Sequence, residues 1–462
     1  MAKPKSTYRC RECGHQVPKW VGRCPDCRAW GSVDELSALP ASSGAAPTVT
    51  PSSPARPITE VDAAASSAIP TGIGELDRVL GRGVVPGSVI LLAGEPGVGK
   101  STLLLEAVKH WAASGQRALY ITGEESAGQV RMRAERTDAV HENIYLAAES
   151  DLATILGHVD AVHPTLMIVD SVQTVVAAGA DGVTGGVTQI RAVTTALVSL
   201  AKNRGIAVIL VGHVTKDGAV AGPRSLEHLV DVVLSFEGDR HSSLRMVRGI
   251  KNRFGAADEV GCFEQRSDGI HQVTDPSGIF VHHHDSDVTG SATLIAMDGK
   301  RALAGEIQAL TATSSMATPR RAVSGLDSPR AAMILAVLQS RMKLEQLAKL
   351  EVYLATVGGM RVTEPAADLA MALAVVAAMR ETAIPRSTVV VGEVGLTGEV
   401  RRVPAVGRRV AEARRLGFRH VLIPAHTDDA IPPGIKVTRV HTLAEATDAA
   451  FRAVLTVVDA PF

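Results

Sequence analysis

The run Gly94-Glu95-Pro96-Gly97-Val98-Gly99-Lys100-Ser101-Thr102 follows the apolar stretch Val89-Ile90-Leu91-Leu92-Ala93 and leads into Leu103-Leu104-Leu105. A glycine-rich turn between an apolar strand and a helix has the context that a phosphate-binding P-loop needs. Glycines let consecutive backbone N–H groups turn inward onto phosphate oxygens with no Cβ in the way. In the pattern G-x-x-x-x-G-K-[ST], Lys100 meets the β and γ phosphates of ATP and the Ser101 hydroxyl is placed to ligate Mg²⁺. The helix that begins there points its positive end at the anion. A glycine-rich turn that matches by accident would not require the strand before it and the helix after it.

ATP hydrolysis also needs a metal-organising carboxylate and a base. Leu166-Met167-Ile168-Val169-Asp170 is an apolar strand ending in Asp170, the arrangement by which a P-loop NTPase holds a magnesium-bound water. A turn or helix cap is the alternative for such an Asp. Ala118-Leu119-Tyr120-Ile121-Thr122-Gly123-Glu124-Glu125 is a second strand, ending in paired acids. Glu124 is favoured over Glu125 as the base that polarises the attacking water, although acids at strand ends are often only solvated. Apolar runs at Val89–Ala93, Leu119–Thr122, Leu166–Val169, Ala207–Val211 and Val232–Phe236 alternate with helical stretches. That βαβ rhythm predicts an α/β fold with a mostly parallel sheet and nucleotide at the strand carboxyl ends.

Lys plus Arg and Asp plus Glu each number 48 in 462 residues, so any polyanion site must be a local patch. The most membrane-like run, Leu369 to Met379, is too short to span a bilayer and predicts a core helix. Met1-Ala2-Lys3-Pro4-Lys5-Ser6 lacks the apolar core of a secretory signal, so the expectation is a cytoplasmic protein with reduced thiols and no membrane partner. Four of the five cysteines form Cys10-x-x-Cys13 and Cys24-x-x-Cys27. In a reducing compartment two such hooks read as a tetrahedral Cys₄ Zn²⁺ site, with a disulfide pair or redox dithiols as alternatives. Cys262, alone between Gly261 and Phe263, reads as a small buried apolar residue. From Ser37 to Ser67 the chain is mostly Ala, Ser, Pro and Thr, a composition suited to a flexible linker. His282-His283-His284 reads as a surface turn, because adjacent imidazoles on a strand point to opposite faces.

The Cys₄ ribbon, the phrase Leu119-Tyr120-Ile121-Thr122-Gly123-Glu124-Glu125-Ser126, the Asp170 strand and the pentapeptide Lys251-Asn252-Arg253-Phe254-Gly255 together resemble the bacterial RadA (Sms) family of recombination and repair proteins, over nearly the whole chain. The resemblance implies a zinc ribbon at 1–36, a linker at 37–67, a RecA-like P-loop ATPase core at 68–274 and a Lon-protease-like α/β domain at 275–462. It also implies a ring-forming, DNA-stimulated ATPase, a homo-hexamer that drives branch migration of joint molecules and resembles DnaB-type helicases. Its partners would be single-stranded and branched DNA and a RecA recombinase. By the same resemblance His213, which follows a strand, is a candidate γ-phosphate sensor; a hydrogen-bonded structural histidine is the alternative.

The pentapeptide offers Lys251 and Arg253 beside a glycine turn. In a ring these cations can cross to the neighbour's γ-phosphate, hold DNA phosphates in the channel, or form a solvated basic turn. The glycine-rich stretch Gly179–Gln189, with Arg191 at its end, is a candidate DNA-contacting loop or a plain surface loop. In the Lon-like portion, Ala366 falls where the nucleophilic serine would stand and Gly407 where the partner lysine would. That leaves neither an attacking oxygen nor an amine to take its proton. Arg408, Arg409, Arg414 and Arg415, with Arg341, Lys343 and Arg386, are expected to be either a DNA-contacting surface or a solvated helix face. The combined reading is an ATP-driven, zinc-containing ring motor for recombinational repair. An ATP-switched zinc-ribbon adaptor and an ATP-dependent protease are the alternatives.

Overall fold

The computed structural model describes residues 8–10, 12, 15–17, 19–35, 57–60, 67–213, 226–238, 243–281, 287–316 and 318–455. Cys13, most of the 37–67 linker and His282–His284 lie outside them. The chain divides into two compact units, Met1–Asp62 and Ala63–Phe462.

In the first unit, β1 (Tyr8–Cys10) pairs antiparallel with β2 (Gln16–Val17) on one side and β3 (Val33–Glu35) on the other. Its buried core is Cys10, Val17, Cys24 and Val33. So small an apolar cluster cannot offset the entropy of ordering the segment, and such units are held by a metal or a cross-link.

In the second unit, the apolar runs become strands of one sheet: β4 (Val89–Gly94), β5 (Ala118–Thr122), β6 (Ile144–Ala148), β7 (Leu166–Asp170), β8 (Ala207–His213) and β9 (Val232–Gly238). The meander β10 (Leu244–Asn252), β11 (Val260–Arg266) and β12 (Gly269–Gln272) extends it, in the order β12-β11-β10-β9-β4-β8-β7-β5-β6. β4 to β9 are parallel, as the alternating pattern predicts, and the meander is antiparallel.

Successive side chains of a strand point to opposite faces, and here both faces are apolar. Ile90, Leu92, Tyr120, Ile168 and Ile209 pack on one side with α1 (Gly74–Leu80), α2 (Lys100–Ala113) and α3 (Ala127–Arg136). Val89, Leu91, Leu119, Ile121, Met167 and Val208 pack on the other with α4 (Leu152–Val162) and α5 (Val187–Arg204).

A second sheet runs in the order Arg321–Ser324, Leu350–Thr356, Arg301–Thr313, Ser291–Asp298, Thr388–Val390, His420–Pro424, Lys436–Val440. The expected core helix forms over Asp368–Arg380, with Asp368 through Ala377 all buried. The two sheets share a core: Leu244, Val260 and Cys262 of the first sheet's meander pack in one cluster with Leu294, Leu303 and Leu373. Cys262 is fully buried, and burial pushes its thiol up to about 11, so it is inert apolar filling. Across the same junction Arg301 forms a buried ion pair with Glu75 of α1, and Glu75 also accepts the Cys262 N–H at 2.9 Å. Arg248 clamps Asp298 with bonds of 2.6 and 3.1 Å.

Two sequence expectations are corrected. Gly179–Gln189 is not loop throughout, because α5 begins at Val187. Gln189 is buried and bonds to the backbone of Ala177 and Ala180, which ties the loop's base down. Arg409 does not lie on a solvated face: it is wholly buried, forks onto both carboxylate oxygens of Glu364 at 2.7 and 2.6 Å, and donates to Ile295 O. A buried guanidinium needs a paired carboxylate and acceptors for its remaining N–H groups, and this fork with the carbonyl supplies them. No helix among the described residues is long and apolar enough to cross a membrane.

Candidate active site and metal centre

The carboxyl ends of β4, β5, β7 and β8 converge on a cavity of about 540 Å³. Pro96, Gly97, Gly99, Lys100, Ser101 and Thr102 line it from the loop, with Thr122, Glu124, Glu125, Arg133, Asp170, His213, Arg245 and Gln265 around them. Gly97 and Gly99 take φ of 79° and 108°, the left-handed region that a Cβ disfavours. A Cβ on Gly94 would overlap the Phe236 carbonyl, so the loop's first glycine is fixed by the adjacent strand. Val98 is buried and its carbonyl accepts from Arg245 Nε at 3.0 Å.

Lys100 Nζ is held by Gly94 O and Glu95 O at 2.9 Å each and stands 3.3 Å from His213 Nδ1. The other ring nitrogen of His213 is 3.1 Å from Glu124 Oε1, which accepts the Ser171 hydroxyl at 2.5 Å. A continuous chain thus runs Lys100–His213–Glu124–Ser171. Burial pulls the Lys100 ammonium below the ordinary lysine range, and Asp170 and Glu124 pull it back up. Asp170 accepts the buried Tyr120 hydroxyl at 2.7 Å. Burial first, and then that carboxylate, push the Tyr120 phenol well above its usual range, so it stays a donor that orients Asp170.

The paired acids are separated in space. Glu125 is engaged by Arg133 of α3, leaving Glu124 facing His213. Arg133 lines the cavity, and its Nη1 is buried with no hydrogen-bond partner among the described residues. An orphaned guanidinium N–H fits a site for a polyanion, since an anionic oxygen there would satisfy it. Arg133, Arg245 and Gln265 were not legible as site residues. Arg133 is one cation among several on its helix, and Arg245 stands 147 positions from the loop carbonyl it contacts.

Lys251 and Arg253 are not in this cavity. Lys251 pairs with Val233, which pairs with Leu91, so it lies toward the amino end of β4. At about 3.3 Å per residue, the strand alone puts it on the order of 10 Å from the chain's own P-loop. Lys251 Nζ donates to Glu227 O at 2.6 Å and Val230 O at 2.9 Å. Asn252 caps α1 by donating to Val79 O and Leu80 O. Arg253 is 56% exposed, 3.6 Å from Asp231.

In the ribbon, the Sγ atoms of Cys10, Cys24 and Cys27 all lie within 4.8 Å of one another, and Cys10 and Cys27 are 3.6 Å apart. A tetrahedral ZnS₄ centre with Zn–S of about 2.3 Å has S···S edges of about 3.8 Å, so the donors fit zinc and are too far apart for a disulfide. In the second sheet's domain Ala366 is buried against Val406 and Val410. Gly407 donates its N–H to Asp429 Oδ2 at 2.9 Å, and a Cβ there would come 2.7 Å from Ala430 O. Any side chain at position 407 would therefore require the backbone around Ala430 to shift.

Over 453 residues, 96% of this chain and 97% of the relative, the sequence is 57% identical to the DNA repair protein RadA of Mycolicibacterium smegmatis. It is 42% identical over 452 residues to the DNA repair protein RadA of Bacillus subtilis, covering 96% and 98% of the two chains. The chain belongs to the RadA family. Within it, residues 55–219 match the AAA domain family, residues 8–35 the rubredoxin metal binding domain and residues 330–427 the subunit ChlI of Mg-chelatase. The fold read from the sequence stands: a zinc ribbon, a P-loop ATPase core and a ChlI/Lon-like α/β domain.

The ribbon carries a direct prediction for this RadA family member. Purified full-length protein is expected to hold about one zinc per chain by atomic emission. Cys24→Ala is expected to lose it while the melt of the ATPase unit stays unchanged. Stoichiometric zinc in that variant would remove these cysteines from the site.

Proposed function

We propose that the protein is a DNA-dependent ATPase that works as a ring motor on recombination intermediates in DNA repair. The observation that carries this reading is the Lys100–His213–Glu124 chain beside Asp170, at the carboxyl edge of a parallel sheet. Lys100 neutralises charge on the β and γ phosphates. Glu124 polarises the attacking water, while Arg133 withholds Glu125 from that role. His213, touching both Lys100 and Glu124, senses whether the γ-phosphate is in place. Ser101 and Asp170 would hold Mg²⁺, which when bound neutralises the charge that develops on the phosphates.

The family relationship supports single-stranded and branched DNA as partners, a RecA recombinase beside them, and a homo-hexamer in which Lys251 and Arg253 reach a neighbouring nucleotide. A peptidase reading finds no support at Ala366 and Gly407, which supply neither nucleophile nor amine. The test is ATP turnover with and without single-stranded DNA, together with ATP-dependent extension of a recombinase-made joint molecule. Stimulation and extension are expected. Turnover indifferent to DNA, with no extension, would leave the ATP-switched adaptor in place of the motor.

A further inference from the structure

We propose that Trp20 and Trp30 form a stacking platform for single-stranded nucleic acid on the zinc ribbon. The chain has three tryptophans, and they are treated in opposite ways. Trp111 is buried and donates to Thr165 Oγ1 at 2.9 Å, whereas Trp20 is 63% and Trp30 76% exposed. The ribbon's own core of Cys10, Val17, Cys24 and Val33 does not use either ring. Large indoles left in water on so small a unit are surface held for a partner.

The two rings also converge. A Cβ on Gly22 would lie 3.8 Å from Trp20 Cη2 and 3.9 Å from Trp30 Cζ3, so both flank a stretch of backbone that carries no side chain. Trp30 stands opposite Arg23 across an antiparallel bridge, and the Arg23 guanidinium sits 5.6 Å from the centroid of the Trp30 ring. Arg23 is steadied by its bond to Arg28 O at 2.9 Å. Lys19, Arg23 and Arg28 are exposed on the same ribbon, against the exposed acids Glu12 and Asp26.

Charge selects the occupant. Bases offer π-faces to indole rings and phosphates offer anionic oxygens to the flanking cations, and this pairing tolerates any sequence. A chain with no net charge needs a local patch of this kind to hold a polyanion. The inference rests on the nucleic-acid part of the proposed function and not on its motor.

The test uses the full-length zinc-loaded protein and oligo(dT), without nucleotide. Because Trp111 is buried, quenching of the exposed tryptophan emission reads stacking on the ribbon directly. Quenching that saturates with the anisotropy of end-labelled oligo(dT) is expected. The W20L/W30L protein is expected to lose the quench and to bind about tenfold more weakly, with its zinc retained. The W20F/W30F protein keeps aromatic faces and is expected to recover most of that affinity, and it serves as the control should the leucine protein lose zinc. Unchanged tryptophan emission at saturating oligo(dT) overturns the proposal, as does wild-type affinity in W20L/W30L. A quench that persists where DNA fails to stimulate ATP turnover would sink the motor and keep the platform.

Discussion

Lys100→Ala is expected to abolish ATP turnover in a protein that still folds. The ammonium is held by two carbonyls of its own loop and faces His213, with Asp170 and Glu124 close enough to act on its charge. Removing it takes away the cation that would meet the β and γ phosphates. Losing a single preorganised donor to developing charge costs about 10²- to 10³-fold in turnover. The fold does not depend on it, because α2 is anchored by Leu103, Leu104, Val108 and Trp111 in the core. Steady-state ATPase measured beside a thermal melt decides the matter. Wild-type turnover with a normal melt would sink the P-loop assignment.

Arg253→Ala is expected to bind ATP almost normally and hydrolyse it about 10³-fold more slowly, as happens when a cation supplied to the transition state from a neighbouring subunit is removed. The motive is positional. Arg253 and Lys251 lie away from their own P-loop along the sheet and outside its cavity, which is the placement expected of cations that act on a neighbour's nucleotide. Arg253 is the cleaner variant of the two. Lys251 supports the chain locally through Glu227 O and Val230 O, whereas Asp231 keeps Lys202 and the Val89 N–H when Arg253 is lost.

Mixing Arg253→Ala with Lys100→Ala subunits should restore part of the DNA-stimulated rate, since some interfaces then pair an intact pocket with an intact cation. The readout is rate against mixing ratio at fixed total protein, with subunit exchange confirmed. A straight line between the two inactive parents, or unchanged basal turnover in Arg253→Ala alone, rules out action in trans. Weakened, salt-sensitive DNA binding with normal basal hydrolysis would place these cations on DNA instead.

The sequence by itself determined what is locally encoded. Gly97 and Gly99 mark backbone that only glycine adopts freely, and the strand before and helix after them complete a P-loop from neighbours in the chain. The cysteine hooks and the all-apolar Leu369–Met379 helix were legible for the same reason: spacing or periodicity within a short window fixes them.

Tertiary structure decided which partner each of two adjacent acids meets in the cavity. Glu124 and Glu125 differ only in that the docking of α3 brings Arg133 to one and the end of β8 brings His213 to the other. It also turned Arg409 from an apparent surface cation into a buried fork on Glu364, 45 residues away, and set Arg301 against Glu75 across 226 residues. A charge in sequence carries no record of its solvation. Whether a guanidinium stays in water or is buried depends on whether folding delivers a carboxylate to it from a distant part of the chain.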